Sequence, residues 1–327
     1  MRAIRIVEPG GPEVLEMGEI PRPEPGPMEI RVRVRAAGVN RAEVLQRRGL
    51  YPAPPGWPAD VPGLEFAGEV EAVGDRVTAW KPGDRAMGLV GGGGYAEFVV
   101  VHEREAIPVP VSLSWEAAAA VPEVFVTAHD ALFTRGRLRT GEAVLIHAVG
   151  SGVGTAAVQL ASAAGATVLG TSRTEWKLER ARELGLEVAI PAGGHEFADD
   201  VLDLTGGRGA DVILDLVGAG YLPRNLKCVA VLGRIIVVGL TGGAFAEIDL
   251  GVLLRKRVTM VGTSLRSRPL EEKVAAVQAF GRHALPLLAD GRIRPVVDET
   301  FPMADAAGAH RRMEANRNFG KIVLVWD

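Results

Sequence analysis

Gly150, Ser151, Gly152, Val153 and Gly154 stand between a short apolar run, AVLI at 143–146, and the alanine-rich run TAAVQLASAAGA. A helix N-terminus presents unpaired N–H groups and a partial positive charge, which suits a pyrophosphate. Glycines let the backbone approach that anion and let the helix pack close on its strand. Gly152, Gly154 and Ala157 satisfy G-x-G-x-x-A. Alone the string is weak. A strand before it and a helix after it supply the context of a βαβ unit, which favours a dinucleotide over a turn that serves packing only.

Residues about 20 positions further on choose the nucleotide, because a carboxylate ending the second strand would hold the adenosine ribose 2′-hydroxyl. Thr171-Ser172-Arg173 stands there, with Lys177 one turn into the next helix. Hydroxyls and cations suit a 2′-phosphate, so Ser172, Arg173 and Lys177 point to NADPH rather than NADH. A solvated helix start, with Glu175 partly neutralising the cations, is the competing reading. Val217-Gly218 and Gly239-Leu240 close two later apolar runs, at the strand ends where open α/β sheets bind ligands. Simple turns would use the same glycines.

These residues need a parallel sheet to present them. From about 141 the chain alternates apolar strands with helices: AVLIHAV, TVLGTS, EVAI, DVILDLVG, RIIVVG and VTMVGTS are the strands. The first 110 residues differ. RAIRIV, EIRVRVRAAGV, EFAGEVEAVG and AEFVVV are β-branched runs separated by proline and glycine. A short helix and a proline-rich loop fill 38–63, KPGDRAMGLVGGGG at 81–94 reads as a turn and a flexible glycine loop, and 114–133 reads as helix. The tail has two helices, around EEKVAAVQAF and MADAAGAHRR, and a last strand GKIVLVWD. It is expected to fold back onto the β-rich part.

Length and composition bound the function. A chain of 327 residues with 47% hydrophobic and 24% charged residues suits two globular domains. Net charge of −3 offers no basic field to nucleic acid. No apolar run reaches the roughly 18 residues needed to cross a bilayer. MRAIRIVEPGG carries no signal-peptide core, so a cytoplasmic protein is expected. Cys228 is the only cysteine, which excludes an intrachain disulfide and any multi-cysteine zinc cluster. His102, His129, His147, His195, His283 and His310 lack ligand spacing and read as structural or surface residues.

AAGVNRAEVLQRRGLYPAPPG, GLEFAGEVEAVG, KPGDRAMGL, HAVGSGVGTAAVQLA and MEANRNFGKIVL together resemble the zinc-free, zeta-crystallin-like quinone oxidoreductases of the medium-chain dehydrogenase/reductase superfamily. The similarity runs along essentially the whole chain. NRAEVLQRRGLY, the serine in HAVGSGVG and TSLRSRP at 263–269 look most like the damage-inducible quinone reductase branch. The resemblance implies an α/β fold of two domains. Residues 1–120 together with 265–327 would form a GroES-like β-barrel catalytic domain, and 121–264 a central Rossmann doubly wound parallel sheet. The flanking halves would then form the other wall of the cofactor cleft. A homodimer, or a tetramer of such dimers, is implied too, with VTMVGTS as an edge strand able to pair with a partner's copy.

The resemblance also speaks to metal and acceptor. Zinc-dependent relatives need a cysteine in the loop after the second strand and a G-H-E motif; Asn40 resembles the first position, and Leu64 in GLEFAG stands where the histidine would be. No catalytic zinc is expected, and Glu65 is expected to be structural. Without a Lewis acid, hydride delivery from NADPH to a quinone or activated enone remains feasible, since the acceptor carries its own electron sink. Asn40 and Tyr51 resemble residues lining the nicotinamide and quinone pocket. Asn40 before R-A-E is also good N-cap chemistry, and Tyr51 also reads as a loop aromatic packed on Pro52, Pro54 and Pro55. Thr127 resembles a threonine beside the nicotinamide, and Asn316-Arg317 a cofactor contact; a buried helix hydroxyl and a surface charge are the alternatives. Pro191-Ala192 departs from the family, whose members often carry Asn-Tyr there against the adenosine phosphate.

Two other functions compete. An enoyl-thioester or alkenal reductase of the same superfamily would use the same fold and hydride. An NADPH-binding structural or RNA-associated protein without turnover would keep only the nucleotide site, and the missing basic stripe argues against RNA. A short-chain reductase would need Tyr-x-x-x-Lys, which none of Tyr51, Tyr95 and Tyr221 provides.

Overall fold

Alternating apolar residues fold the first part of the chain into β1 (Arg2–Ile6), β2 (Leu15–Glu19), β3 (Glu29–Val39), β4 (Glu65–Val73), β5 (Arg85–Leu89), β6 (Phe98–His102) and β7 (Ala106–Pro108). This computed structural model describes residues 1–193 and 196–327. The longest strand, β3, feeds two cores. Ile30, Val32 and Val34 pack with Phe66, Val70, Val99 and Val101. Beyond them Ala37 and Val39 pack with Val44, Tyr95, Met303 and Leu324. Each such side chain contributes on the order of 1.5–3 kcal/mol when fully buried. Strand β5 lies inside the segment that reads as a turn and glycine loop. Ala86 and Met87 are fully buried, and the strand pairs antiparallel with β4, placing Gly88 opposite Phe66.

Helix α1 (Arg41–Arg47) follows β3 directly. The segment expected as one helix over 114–133 is instead α2 (Trp115–Ala119), α3 (Pro122–His129) and a wider π-type turn at Asp130–Arg135. The break falls at Pro122, which has no N–H to donate and biases Val121 away from the helical region.

The middle of the chain alternates: β8 (Ala143–Ile146), α4 (Gly152–Ala163), β9 (Thr167–Ser172), α5 (Glu175–Arg182), β10 (Val188–Pro191), α6 (Phe197–Leu204), β11 (Ala210–Asp215), α7 (Leu222–Cys228), β12 (Val229–Val237), α8 (Leu250–Lys256) and β13 (Thr259–Gly262). All six strands are parallel, in the order β10-β9-β8-β11-β12-β13. Counted from β8, that is the doubly wound order 3-2-1-4-5-6. The order reverses between β8 and β11.

Strands β14 (Val297–Pro302) and β15 (Lys321–Val325) return the tail to the sheet that contains β3–β7, where β15 runs antiparallel to β3 with Ile322 opposite Val39, while β1 and β2 pair separately. The chain thus divides into two units, Met1–Val126 with Leu265–Asp327, and Thr127–Ser264. The first division falls within α3. Among the described residues, no helix is long and apolar enough to cross a membrane.

Candidate functional site

In the unit Thr127–Ser264, the glycine turn follows β8 at the point of reversal. Ser151 caps α4, its Oγ accepting the Gly154 N–H at 3.0 Å. That cap leaves the N–H groups of Gly152 and Val153 as the ones an anion would take. A Cβ on Gly154 would run into the carbonyl of Ala148 and the backbone of Val149, so only glycine lets the helix sit this close to the turn. On Gly150 it would meet the Lys177 side chain, whose stem therefore lies against the turn. Ser172 is buried at the end of β9, its Oγ accepting the Thr174 N–H at 3.1 Å, while Arg173 is exposed. Pyrophosphate turn and 2′-phosphate candidates therefore share one end of the sheet. Thr127 is buried on α3.

The other two candidate pairs are laced together. Gly218 adopts a left-handed backbone with φ of +82°. A Cβ there would meet the Leu240 side chain at 2.8 Å. Gly239 packs on the Leu216 carbonyl, and the Gly242 N–H donates to the Val217 carbonyl at 2.7 Å. The loops after β11 and β12 form one rim.

A buried polar line beneath this rim escaped sequence reasoning. His147, fully buried, joins Thr171 and Asn225, and Asn225 joins Asp215. The available signal was a lone polar residue closing the apolar run AVLI. Of the other histidines, His310 is buried between Arg47 and Tyr95, with Nδ1 3.3 Å from the guanidinium; burial and that cation push it down to about 3. His129 packs on Phe133, His102 Nδ1 accepts the Arg104 N–H at 3.1 Å, and His195 lies outside the described residues. The Cys228 thiol is buried, which pushes it up to about 12 and leaves it unreactive.

In the unit Met1–Val126 with Leu265–Asp327, Asn40 stands at the N-cap position of α1, where the Glu43 carboxylate reaches back to its N–H at 2.6 Å. Its amide points inward. Nδ2 donates to Glu65 Oε1 at 2.9 Å, and Oδ1 accepts from Lys321 Nζ at 2.6 Å. Lys321 also donates to the Val39 carbonyl at 2.9 Å and pairs with Glu65 at 2.5 Å. Both amide groups of Asn40 are thus engaged within the unit. Glu65 additionally accepts the Glu123 N–H at 2.8 Å, and Glu43 Oε1 accepts the Leu64 N–H at 3.0 Å. Burial pushes the Glu43 carboxyl up to about 7.

Could these residues hold zinc? The positions that the resemblance assigns to ligands offer an amide already bonded on both sides and an alkyl chain, with an ammonium in contact with the neighbouring carboxylate. A cation already occupies the carboxylate, and among the described residues no thiolate or imidazole is bonded to it. The donor set does not fit zinc. Among the described residues, no group of three or more histidine, cysteine, aspartate or glutamate side chains is arranged to hold a metal.

Tyr51 is half-buried in the proline-rich loop, with the Arg266 guanidinium 4.9 Å from its ring centroid. Arg266 also donates to the carbonyls of Tyr51 at 3.1 Å and Gly91 at 2.9 Å, and to Gln46 Oε1 at 2.6 Å. One buried guanidinium therefore fixes the loop that carries Tyr51. The sequence separation of 215 residues hid this partnership. Asn316 accepts from Arg41 at 2.6 Å with φ of +54°, and Arg317 beside it is exposed.

Two family models match the chain. Residues 26–111 match the family model of the alcohol dehydrogenase GroES-like domain, and residues 152–280 that of the zinc-binding dehydrogenase. The quinone oxidoreductase of Pseudomonas aeruginosa is 37% identical over 329 residues, covering 99% of both chains. That of Rattus norvegicus is 35% identical, covering 99% of this chain and 98% of its own. Among solved structures, the Escherichia coli quinone oxidoreductase complexed with NADPH superposes with a TM-score of 0.89 at 30% identity, covering 99% of this chain and 100% of that one. With full-length relatives at this identity, a GroES-like domain and a doubly wound parallel sheet, the chain is an oxidoreductase that belongs to the quinone oxidoreductase family of the medium-chain dehydrogenase/reductase superfamily.

Proposed function

We propose that the chain reduces quinones or activated enones by hydride transfer, with NADPH as the donor and no metal. The observation that carries this reading is the sheet end where the glycine turn, Ser172, Arg173 and Lys177 converge without a carboxylate at the end of β9. The N–H groups of Gly152 and Val153 hold the pyrophosphate, and Ser172, Arg173 and Lys177 hold the 2′-phosphate. NADPH, when bound, supplies the hydride. Tyr51, steadied by Arg266, orients the acceptor and donates a hydrogen bond to the oxygen on which charge develops. Asn40 shapes the site through Lys321 and Glu65 rather than donating to the acceptor.

Steady-state oxidation of NADPH and NADH against a panel of quinones and acyl-thioester enones tests the reading. Quinones are expected to turn over fastest. Lys177→Ala is expected to raise the KM for NADPH by about tenfold, the equivalent of one charge-assisted hydrogen bond, and to leave that for NADH unchanged. A preference for thioesters would favour the enoyl reductase reading, and NADPH binding without its oxidation by any acceptor of the panel would leave only nucleotide binding.

We also infer that two copies pair through β13. It is the last strand of its sheet, and Met260 on it is 41% exposed, so its outer backbone edge is available to a second copy. Light scattering is expected to give twice the chain mass; a monomer at micromolar concentration would overturn this.

A further inference from the structure

Four buried polar side chains form a single hydrogen-bonded line at the reversal point of the parallel sheet, and chemistry fixes its direction. Asp215 accepts at both oxygens: Oδ1 takes the N–H groups of Val217 and Gly218, each at 2.8 Å, and Oδ2 takes Asn225 Nδ2 at 3.0 Å. The amide oxygen of Asn225 therefore faces His147 and accepts from its Nε2–H at 2.7 Å. Burial lowers the imidazole pKa and keeps the ring neutral, so Nδ1 is left as an acceptor for the Thr171 hydroxyl at 2.8 Å. Phe197 and Tyr221 flank the ring edge-on, with centroids at 5.0 and 4.8 Å.

The line joins the ends of β8, β9 and β11, and those ends lead into the glycine turn, Ser172-Arg173 and Val217-Gly218. Resting on the NADPH reading above, we propose that His147 is a positioning residue for the nucleotide, setting the spacing between the pyrophosphate turn, the 2′-phosphate strand end and the loop after β11. Packing alone does not ask for a histidine here. Residues 143–146 are apolar, two aromatic rings line the position, and a leucine would fill it without needing partners. The turn it anchors is also strained: Ala148 holds φ of +50°, a left-handed conformation that a non-glycine residue adopts only when its surroundings impose it. The His147 N–H to the Leu214 carbonyl and the Val149 N–H to the Thr171 carbonyl, both at 3.1 Å, clamp either side of that residue.

The test titrates NADPH into the full chain and three variants, with melting temperature and kcat at saturating NADPH measured alongside. His147→Leu removes both side-chain bonds and is expected to raise the Kd for NADPH by about tenfold or more while kcat stays within about twofold. Thr171→Val leaves the imidazole in place and is expected to raise the Kd in the same direction. His147→Gln offers an oxygen and an N–H to the same two partners, and is expected to restore the Kd to within about threefold of the parent. A purely structural role would lower the melting temperature and the active fraction without changing the Kd of the folded protein. An unchanged Kd in His147→Leu, or no recovery in His147→Gln, overturns the proposal while leaving the NADPH reading intact. A parent chain that binds no NADPH overturns both.

Discussion

Replacing Lys321 by methionine is expected to destabilise the unit that holds it by about 3–5 kcal/mol, the usual cost of breaking a desolvated ion pair from one side. Lys321 and Glu65 are 2% and 0% exposed, so neither charge is shared with water. The ammonium answers the Val39 carbonyl, Asn40 Oδ1 and Glu65 Oε1 together. Without it Glu65 keeps only the neutral donors Asn40 Nδ2 and the Glu123 N–H, and Asn40 Oδ1 loses its partner. Methionine fills the space of the lysine stem, so lost packing adds little. Chemical unfolding of Lys321→Met, Glu65→Gln and the double variant forms a cycle. The double variant is expected to lose less than the two single variants summed, because no lone charge remains buried. A loss below about 1 kcal/mol would mean the pair behaves as a solvated surface bridge.

The nucleotide half of the molecule was legible because its signals are local. Strand, glycine turn and helix lie within residues 143–164, and a 3.6-residue or continuous apolar pattern survives in one dimension. The strand order could not be read, yet it decides that the turn after β8 and the loop after β11 are neighbours. His147 shows the limit clearly. Its lack of ligand spacing says only that it is structural or at the surface, and its partners Thr171 and Asn225 lie 24 and 78 residues away. The acidic and basic cluster around Asn40 was hidden more deeply. Glu43 and Asn40 are three residues apart and suggest only a capped helix, whereas Lys321 reaches Glu65 across 256 residues. The Asn40 amide is thus engaged by partners that its neighbours in sequence do not reveal. Strand β5 was lost for a different reason, since the glycines beside RAMGL signalled flexibility while Ala86 and Met87 supplied the burial.

The same cluster predicts how stability responds to pH, and Glu123→Gln isolates the response. Burial pushes the Glu123 carboxyl up to about 8, with the neighbouring Glu65 and Glu43 carboxylates adding to the rise and Lys321 and Arg266 opposing it. Glu43 is raised to about 7, again by burial first. A carboxyl raised above its unfolded value is protonated in the folded state while the unfolded chain has already released its proton. The folded state then binds more protons, and stability falls as pH rises through that interval. For these two groups the interval opens near their ordinary value of 4.5 and closes near 7 and 8. Stability is therefore expected to be highest around pH 5 and to decline by roughly 2–4 kcal/mol towards pH 9, below the full linkage value because Glu123 is only half-buried by surface area. Glutamine at position 123 keeps the shape and carries no proton to lose. Glu123→Gln is expected to flatten the decline and to exceed the parent by on the order of 2 kcal/mol at pH 8–9, with little difference at pH 5. Denaturant melts at closely spaced pH values measure this directly, and superimposable profiles for parent and variant would show that Glu123 ionises freely in the folded protein. Glu43→Gln is a poorer probe, because Glu43 accepts the N–H groups of Asn40 and Leu64 at 2.6 and 3.0 Å and an amide nitrogen would face one of them. Its loss of stability at every pH, set against the gain confined to alkali in Glu123→Gln, would separate a carboxyl that holds the helix start in place from one that the fold keeps neutral.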